Sequence, residues 1–154
     1  MWDVLVRGTD ENGSLGHGWT YSSHPISAAA GVANLLLVDS LGLVENAGTV
    51  GGYLNTAMRD ALAAHPNVGD VRGEGLLCAV EFVKDKDSRT FFDPADKVGP
   101  RLAAALLGRG VIARAMPQGD IIGFAPPLCI TRAEADIVVD AFAASVSEVL
   151  GAAG

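Results

Sequence analysis

The sequence predicts an α+β fold, in which a small, mostly antiparallel sheet carries helices on one face and follows a long broken helix. From residue 66 onward the hydrophobic pattern alternates between the periods of strands and helices, in the order β-β-α-β-β-α. Residues 25–65 are rich in Ala, Leu and Val and break near Gly42. With 154 residues, 49% of them hydrophobic and 19% charged, the chain has the size and composition of one folded domain.

The first half of the chain is predicted to contain two helices. Residues 1–24 are expected to be largely irregular, because four glycines interrupt them between positions 8 and 18. Pro25 suits the first turn of a helix. The following stretch, Ala28–Leu41, is apolar nearly all round, which is typical of a helix buried on most faces. A second helix is expected over Val44–Ala64, with its apolar stripe at Leu54, Met58, Ala61 and Leu62.

The second half is predicted to form the sheet and two further helices. The expected strands are Val68–Arg72, Leu76–Val83, Val111–Arg114 and Asp120–Phe124, with a tight turn or bulge at residues 73–75. The second strand is almost continuously apolar, which indicates an interior position. A helix is expected over Val98–Leu107. Before it, Phe91 and Phe92 should pack the charged loop at residues 84–88 back against the domain. Thr131 and Glu134 have the spacing of a capping box, which predicts a last helix that runs to about Leu150.

Charge and cysteine content narrow the class of protein. The formal net charge is −7, from 18 acidic and 11 basic residues, and no run of Lys or Arg occurs, which argues against nucleic acid or an anionic membrane as partner. Cys78 and Cys129 lie in apolar surroundings and are expected to be buried thiols in a reducing compartment. Cysteine and histidine lack the spacing of a zinc site, and no stretch of 18 apolar residues occurs. We therefore expect no metal and a cytoplasmic location.

A polar, glycine-rich cluster precedes the first long helix. Residues 16–25 read Gly-His-Gly-Trp-Thr-Tyr-Ser-Ser-His-Pro. Glycines let the backbone approach a ligand, hydroxyls donate hydrogen bonds, and a helix N-terminus favours an anion. The cluster is therefore a candidate phosphate or carboxylate loop, although an N-cap with turn glycines explains the spacing equally well.

The residues of this cluster closely resemble the class III aminotransferases, which are fold-type I enzymes that use pyridoxal 5′-phosphate (PLP). The resemblance continues at Val-Arg-Gly-Glu-Gly-Leu (71–76), Gly-Asp-Ile-Ile (119–122), Ala-Pro-Pro-Leu (125–128) and Thr-Arg-Ala-Glu (131–134), and so covers essentially the whole chain. It implies that residues 1–24 are the end of the large PLP domain with its phosphate loop. Residues 25–65 would then be linking helices, and residues 66–154 the small C-terminal domain.

The resemblance also implies roles for two residues. Thr20 matches the threonine that binds the PLP phosphate, which in this family it does across the dimer interface from the neighbouring subunit. Arg114 falls where ω-transaminase-like members keep a mobile arginine for the substrate carboxylate, and a guanidinium fits a carboxylate through two hydrogen bonds. Without the resemblance, Arg114 would be interpreted as an ordinary arginine at the end of a strand.

The Schiff-base lysine of the family is not matched in this sequence. In the family it lies farther upstream of the Thr-Tyr-Ser motif than the 19 residues that precede Thr20, and Lys84, Lys86 and Lys97 have another context. We therefore expect a C-terminal part of an aminotransferase that is inactive alone and exposes its apolar helix. Its partners would be the missing N-terminal part or a second copy, with amines and keto acids as substrates. The alternatives are a non-catalytic dimerisation or interaction module derived from that fold and, more remotely, an unrelated anion-binding domain.

Overall fold

The computed structural model describes residues 2–14, 16, 18 and 20–152. They form two compact units, one up to Leu37 and the other from Val38 onward.

The N-terminal unit is more helical than the sequence predicts. Helix α1 spans Trp2–Asn12, so the expectation that residues 1–24 are largely irregular is wrong for its first half. Gly8 lies inside this helix with open space around it, and one such glycine costs only about 1 kcal/mol relative to alanine. The helix ends at Gly13, which adopts the left-handed conformation at φ 80° and donates its N–H to the Thr9 carbonyl.

Helix α2 spans Pro25–Ser40 and begins at the predicted proline. None of its residues is buried, and its large apolar side chains stand well exposed, Ile26 at 75% and Leu35 at 69%. This agrees with the expectation that the apolar helix is exposed in this chain alone. No single helix of the described residues is long and apolar enough to cross a membrane; α2 meets that test only together with the next helix, at a bend of 58°.

The C-terminal unit contains the predicted sheet. Its elements are α3 (Leu43–Leu62), β1 (Val68–Glu74), β2 (Leu77–Phe82), a 3-10 turn (Pro94–Asp96), α4 (Val98–Gly108), β3 (Arg114–Ala115), β4 (Asp120–Phe124) and α5 (Arg132–Leu150). The strand order is β1-β2-β4-β3 and every pair is antiparallel. The α+β fold class, the antiparallel sheet and the interior place of β2 are thereby confirmed.

The core lies between one face of the sheet and the helices. Strand β2 turns Cys78, Val80 and Phe82 toward it, and Phe142 of α5 packs edge-on against Phe82 and Phe124 at centroid distances of 6.0 and 5.0 Å. Three helices contribute rather than the two predicted, because α3 also packs on β1 and β2. Its stripe is buried at three positions, Leu54, Met58 and Leu62, whereas Ala61 is exposed.

Of the other local features that the sequence predicts, the capping box of α5 is confirmed, whereas the burial of Phe91 and of Cys129 is not. The capping box of Thr131 and Glu134 is present in full, with Thr131 N–H donating to the Glu134 carboxylate at 2.8 Å, and these bonds hold the pKa of Glu134 below its usual value. Phe92 packs on the core, but Phe91 is 58% exposed. Cys129 is exposed rather than buried, because a turn between Pro127 and Ile130 carries Ile130 into the core instead.

Strand β3 is shorter and later than predicted. The expected strand began at Val111, but the Val111 N–H bonds to the Leu106 carbonyl and its side chain packs in the core as part of the helix-ending turn. Pairing with β4 begins only at Arg114. The hairpin between β1 and β2 turns at Gly75 and Leu76, with Gly75 at φ 52°, one residue later than the centre of the predicted turn.

Candidate functional site

The sheet face opposite the helices carries a row of four aligned positions. Arg72 pairs with Ala79, Ala79 with Gly123, and Gly123 with Arg114, so the row crosses all four strands. Paired residues on neighbouring strands point to the same face of a sheet. The register thus places two arginines at the two edges, with two very small residues between them.

A cavity of about 970 Å³ lies over this row. Most of its lining is aliphatic or aromatic, and its charged members come from β1 and β3. It is lined by Arg72, Gly73, Glu74, Leu77, Cys78, Ala79, Ile112, Ala113, Arg114, Met116, Gly123, Phe124 and Ala125. Its buried thiol, Cys78, has its pKa raised to about 11 by desolvation, so it is protonated and unreactive at neutral pH.

Arg72 is already engaged by two carboxylates. Its guanidinium lies 2.9 Å from the Asp70 carboxylate and 2.7 Å from that of Glu81. Hydrogen bonds to Asp70 and then Glu81 raise the pKa of Arg72 above its usual value. Because two acids flank it, this arginine offers little positive charge to a ligand.

Arg114 is the unpaired cation of the cavity. Its side chain is exposed and makes no ion pair or hydrogen bond with any described residue. Its backbone pairs with Gly123, and the next hydrogen bond of this hairpin runs from the Met116 N–H to the Ile121 carbonyl at 2.9 Å. A free guanidinium beside apolar walls suits one carboxylate, because two parallel N–H donors match the two carboxylate oxygens.

Thr20 lies in the turn that precedes α2, in the N-terminal unit. Tyr21 and Ser23 there adopt left-handed conformations, at φ 70° and 63°, and the His24 N–H closes the turn on the Tyr21 carbonyl. The Thr20 side chain is exposed and makes no hydrogen bond within the described part of the chain. His17 and Trp19 of the same motif lie outside the described residues. The hydroxyl of Thr20 is therefore available as a donor to an anion such as a phosphate.

The tip of the β1–β2 hairpin is clamped to α3 by a contact that sequence reasoning missed. The amide of Asn55 donates to the carbonyls of Gly51 and Gly75, both at 2.9 Å, although Asn55 is 95% buried in α3. Gly51 and Gly75 touch so closely that a Cβ on Gly51 would lie 2.1 Å from the Gly75 carbonyl. The signal in the sequence was a polar residue next to Leu54 on the apolar stripe of α3. The clamp fixes the end of β1 that carries Arg72 and Glu74 into the cavity.

The three lysines lie away from this cavity. Lys84 and Lys86 follow β2, where Lys86 donates to the Ala63 carbonyl at 3.0 Å. Lys97 precedes α4 and adopts φ 48°. None of the three lines the cavity.

Comparisons with known proteins place the chain in one family. The model of the family "Aminotransferase class-III" matches residues 7–146. The chain is 52% identical to the diaminobutyrate–2-oxoglutarate transaminase of Halomonas elongata over 152 residues, which are 99% of this chain and 32% of that protein. It is 34% identical to the putrescine–pyruvate aminotransferase of Pseudomonas aeruginosa, over 89% of this chain and 29% of that protein.

Solved structures agree with the sequence comparisons. A transaminase from directed evolution by ancestral reconstruction superimposes with a TM-score of 0.88 at 56% identity, over 97% of this chain and 33% of its own. The (S)-enantioselective ω-transaminase of Thermomicrobium roseum gives 0.85 at 42% identity, over 96% of this chain and 33% of its own. The chain thus spans about a third of the length of these relatives. On this evidence of sequence and fold together, the chain belongs to the class III aminotransferases.

Proposed function

We propose that this chain is the C-terminal part of a PLP-dependent transaminase, which moves an amino group between an amine or ω-amino acid and a keto acid. In this proposal Arg114 binds the substrate carboxylate and Thr20 contacts the cofactor phosphate. The observation that carries the proposal is the guanidinium of Arg114, which has no ion pair among the described residues and lies at an apolar cavity whose other arginine is neutralised by Asp70 and Glu81.

Arg114 would orient the substrate through its carboxylate. An exposed Arg114 can turn toward an incoming carboxylate without first breaking an ion pair among the described residues. The aliphatic walls, with Leu77 and Met116 among them, would exclude water around the substrate body and thereby strengthen the charged contact. Substrate binding and orientation are thus the part of the reaction that this cavity supports.

The residues present fit the PLP phosphate at one contact. Thr20 has an exposed hydroxyl without a hydrogen-bond partner among the described residues, and a charge-assisted bond to phosphate would satisfy it. When bound, PLP supplies the electrophilic carbon that takes the amino group from the donor and returns it to the acceptor. Lys84, Lys86 and Lys97 all lie outside the cavity, so we propose that the covalent attachment comes from another part of the enzyme.

Substitutions at Arg114 and Thr20 should separate substrate effects from cofactor effects. The enzyme for this test is a chimera in which this chain replaces the segment it matches in the Halomonas elongata relative. Arg114→Ala should raise KM for a keto acid about ten- to a hundredfold, the equivalent of one hydrogen bond to a charged group, and leave a carboxylate-free aldehyde acceptor much less affected. Thr20→Ala should weaken PLP retention by a similar factor for every substrate.

Matched variants control for general damage to the fold. Arg89→Ala removes an exposed arginine from a loop outside the cavity, and Thr49→Ala removes an exposed hydroxyl from α3. Both should leave KM and PLP retention unchanged. Equal losses of Arg114→Ala on the keto acid and the aldehyde would refute the carboxylate role. Unchanged PLP affinity in Thr20→Ala would refute the phosphate role.

The 154-residue chain alone, with PLP added, should show no turnover above a PLP-only control.

The exposed helix α2 favours a second candidate function, a dimerisation or interaction module. Its exposed apolar residues are Ile26, Val32, Leu35, Leu36 and Leu37. Contiguous apolar surface of this kind is uncommon on soluble monomers and marks an interface.

The chain alone should therefore associate or bind a hydrophobic dye. We expect a dimer or larger species in sedimentation, and Leu36→Glu should shift it toward monomer and reduce dye fluorescence by more than half. Leu107→Glu is the control, because Leu107 is similarly exposed, at 62%, but lies on α4. A monomer without dye-accessible surface would contradict this prediction.

A further inference from the structure

We infer that Gly123 determines which substrates the cavity accepts, by leaving room beside Arg114 for an unbranched apolar chain that ends in a single carboxylate. This inference rests on the proposed function, because it takes Arg114 as the partner of the carboxylate. It adds a specificity-determining position and a ligand class.

The backbone does not require glycine at position 123. Strand β4 is an interior strand, where glycine weakens the strand and often marks a close approach of a ligand. Gly123 has no positive φ, and a Cβ there would meet only the Met116 sulfur at 3.6 Å and the Arg114 carbonyl at 3.9 Å, which are ordinary contacts. At Gly73, by contrast, a Cβ would lie 2.0 Å from the Asn55 side-chain oxygen. Gly123 is therefore a position where the fold has room for a side chain and carries none.

The missing side chain opens a strip of bare sheet. Ala79 is the neighbour of Gly123 on β2, so the two form a nearly flat floor about 10 Å wide between the arginine strands. Leu77 and Met116 line the same cavity as the floor. Met116 is 40% exposed, and its flexible thioether can adjust to a chain that lies on the floor.

The charges around the floor favour one carboxylate rather than two. Arg114 is unpaired among the described residues, whereas Arg72 at the far edge is neutralised by Asp70 and Glu81. Glu74 also lines the cavity and would repel a second anion. A ligand with its single carboxylate on Arg114 and its apolar body over Gly123 and Ala79 pairs with the available cation and brings no second anion near Glu74.

A titration of the 154-residue chain with simple acids tests this inference. The readout is the NMR shift of the Arg114 Nε–H group and of the backbone amides of residues 112–125. Acetate, butyrate and hexanoate should bind with affinity that rises with length, up to about fourfold for each buried methylene. Adipate, which has a carboxylate at each end, should bind more weakly than hexanoate.

Substitution of Gly123 should remove the dependence on length. Gly123→Leu should bind hexanoate at least tenfold more weakly than the unsubstituted chain, with acetate unchanged within twofold. Gly123→Ala should be at least as thermostable as the unsubstituted chain and bind hexanoate two- to fourfold more weakly, which keeps the test valid if the leucine variant fails to fold. Gly48→Leu adds the same atoms at a position where a Cβ would meet nothing within 4 Å, and it should change the binding of neither acid.

The outcomes distinguish this inference from the proposed function. A length dependence that persists in Gly123→Leu, unchanged hexanoate binding in Gly123→Ala, or an unsubstituted chain that binds acetate and hexanoate equally overturns the role of Gly123 while the carboxylate role of Arg114 stands. Adipate binding as tight as hexanoate overturns the preference for one carboxylate. Arg114→Ala that binds both acids normally, or the absence of any Arg114 shift, overturns the proposed function as well.

Discussion

Gly51→Ala should lower the free energy of unfolding by about 3 kcal/mol or more, at the upper end of what overpacking costs. The added Cβ would lie 2.1 Å from both the carbonyl carbon and oxygen of Gly75 and 2.6 Å from the Leu76 nitrogen. All three atoms belong to the backbone, so no side-chain rotation relieves the clash. The hairpin tip must instead lift from α3 and break the hydrogen bond of Asn55 to Gly75. Urea denaturation followed by circular dichroism measures the loss.

Gly52→Ala is the matched control for this substitution. Gly52 is the next residue of α3, and a Cβ there would meet nothing within 4 Å. Alanine inside an exposed helical position should stabilise the chain by about 0.5–1 kcal/mol. Similar unfolding midpoints for the two variants would show that the helix does not press on the hairpin as described.

Phe142→Ala should lower the free energy of unfolding by about 3–5 kcal/mol, as for other buried aromatic residues. Phe142 is fully buried and bridges α5 to the sheet through edge-on contacts with Phe82 and Phe124. Its truncation leaves a cavity in the centre of the core that rigid strands cannot close. Phe124 also lines the candidate site, so the same variant should weaken ligand binding there.

Ile137→Ala provides the comparison on the same helix. Ile137 is 60% exposed, so its truncation should change the free energy of unfolding by no more than about 0.5 kcal/mol. The midpoints of urea denaturation of Phe142→Ala and Ile137→Ala measure this difference in stability. Equal losses would mean that α5 packs through a different face.

The parts of the fold that local chemistry determines were predictable. Pro25 fixes the start of α2, and Thr131 with Glu134 fixes the start of α5, because each acts within one helical turn. The apolar run of β2 also indicated its interior position in the sheet, because apolar residues on both faces of a strand favour burial. Helix α1 was missed because the glycines between positions 8 and 18 indicated irregular structure, although Trp2, Leu5 and Val6 have the spacing of a helical apolar stripe.

The candidate site depends on features that local patterns do not carry. Cross-strand register brings Arg114 beside Gly123 and aligns both with Ala79 and Arg72, and register is a long-range property. The resemblance to a family singled out Arg114, but the neutralisation of Arg72 by Asp70 and Glu81 became visible only with the structure. The clamp of Asn55 likewise joins residues 20 positions apart.

The candidate site combines a two-residue strand, β3, which carries Arg114, with a floor on the longer strands β2 and β4. β3 is an edge strand held by β4 alone, whereas the floor at Ala79 and Gly123 belongs to interior strands that are bonded on both sides. Segments with few buried contacts and few backbone hydrogen bonds open at a lower free energy than the strands of the core. In the proposed site, Arg114 could therefore shift to meet carboxylates at different heights above the sheet while the floor beneath them stays in place. Such a division lets one binding surface serve ligands of several lengths without rebuilding its core.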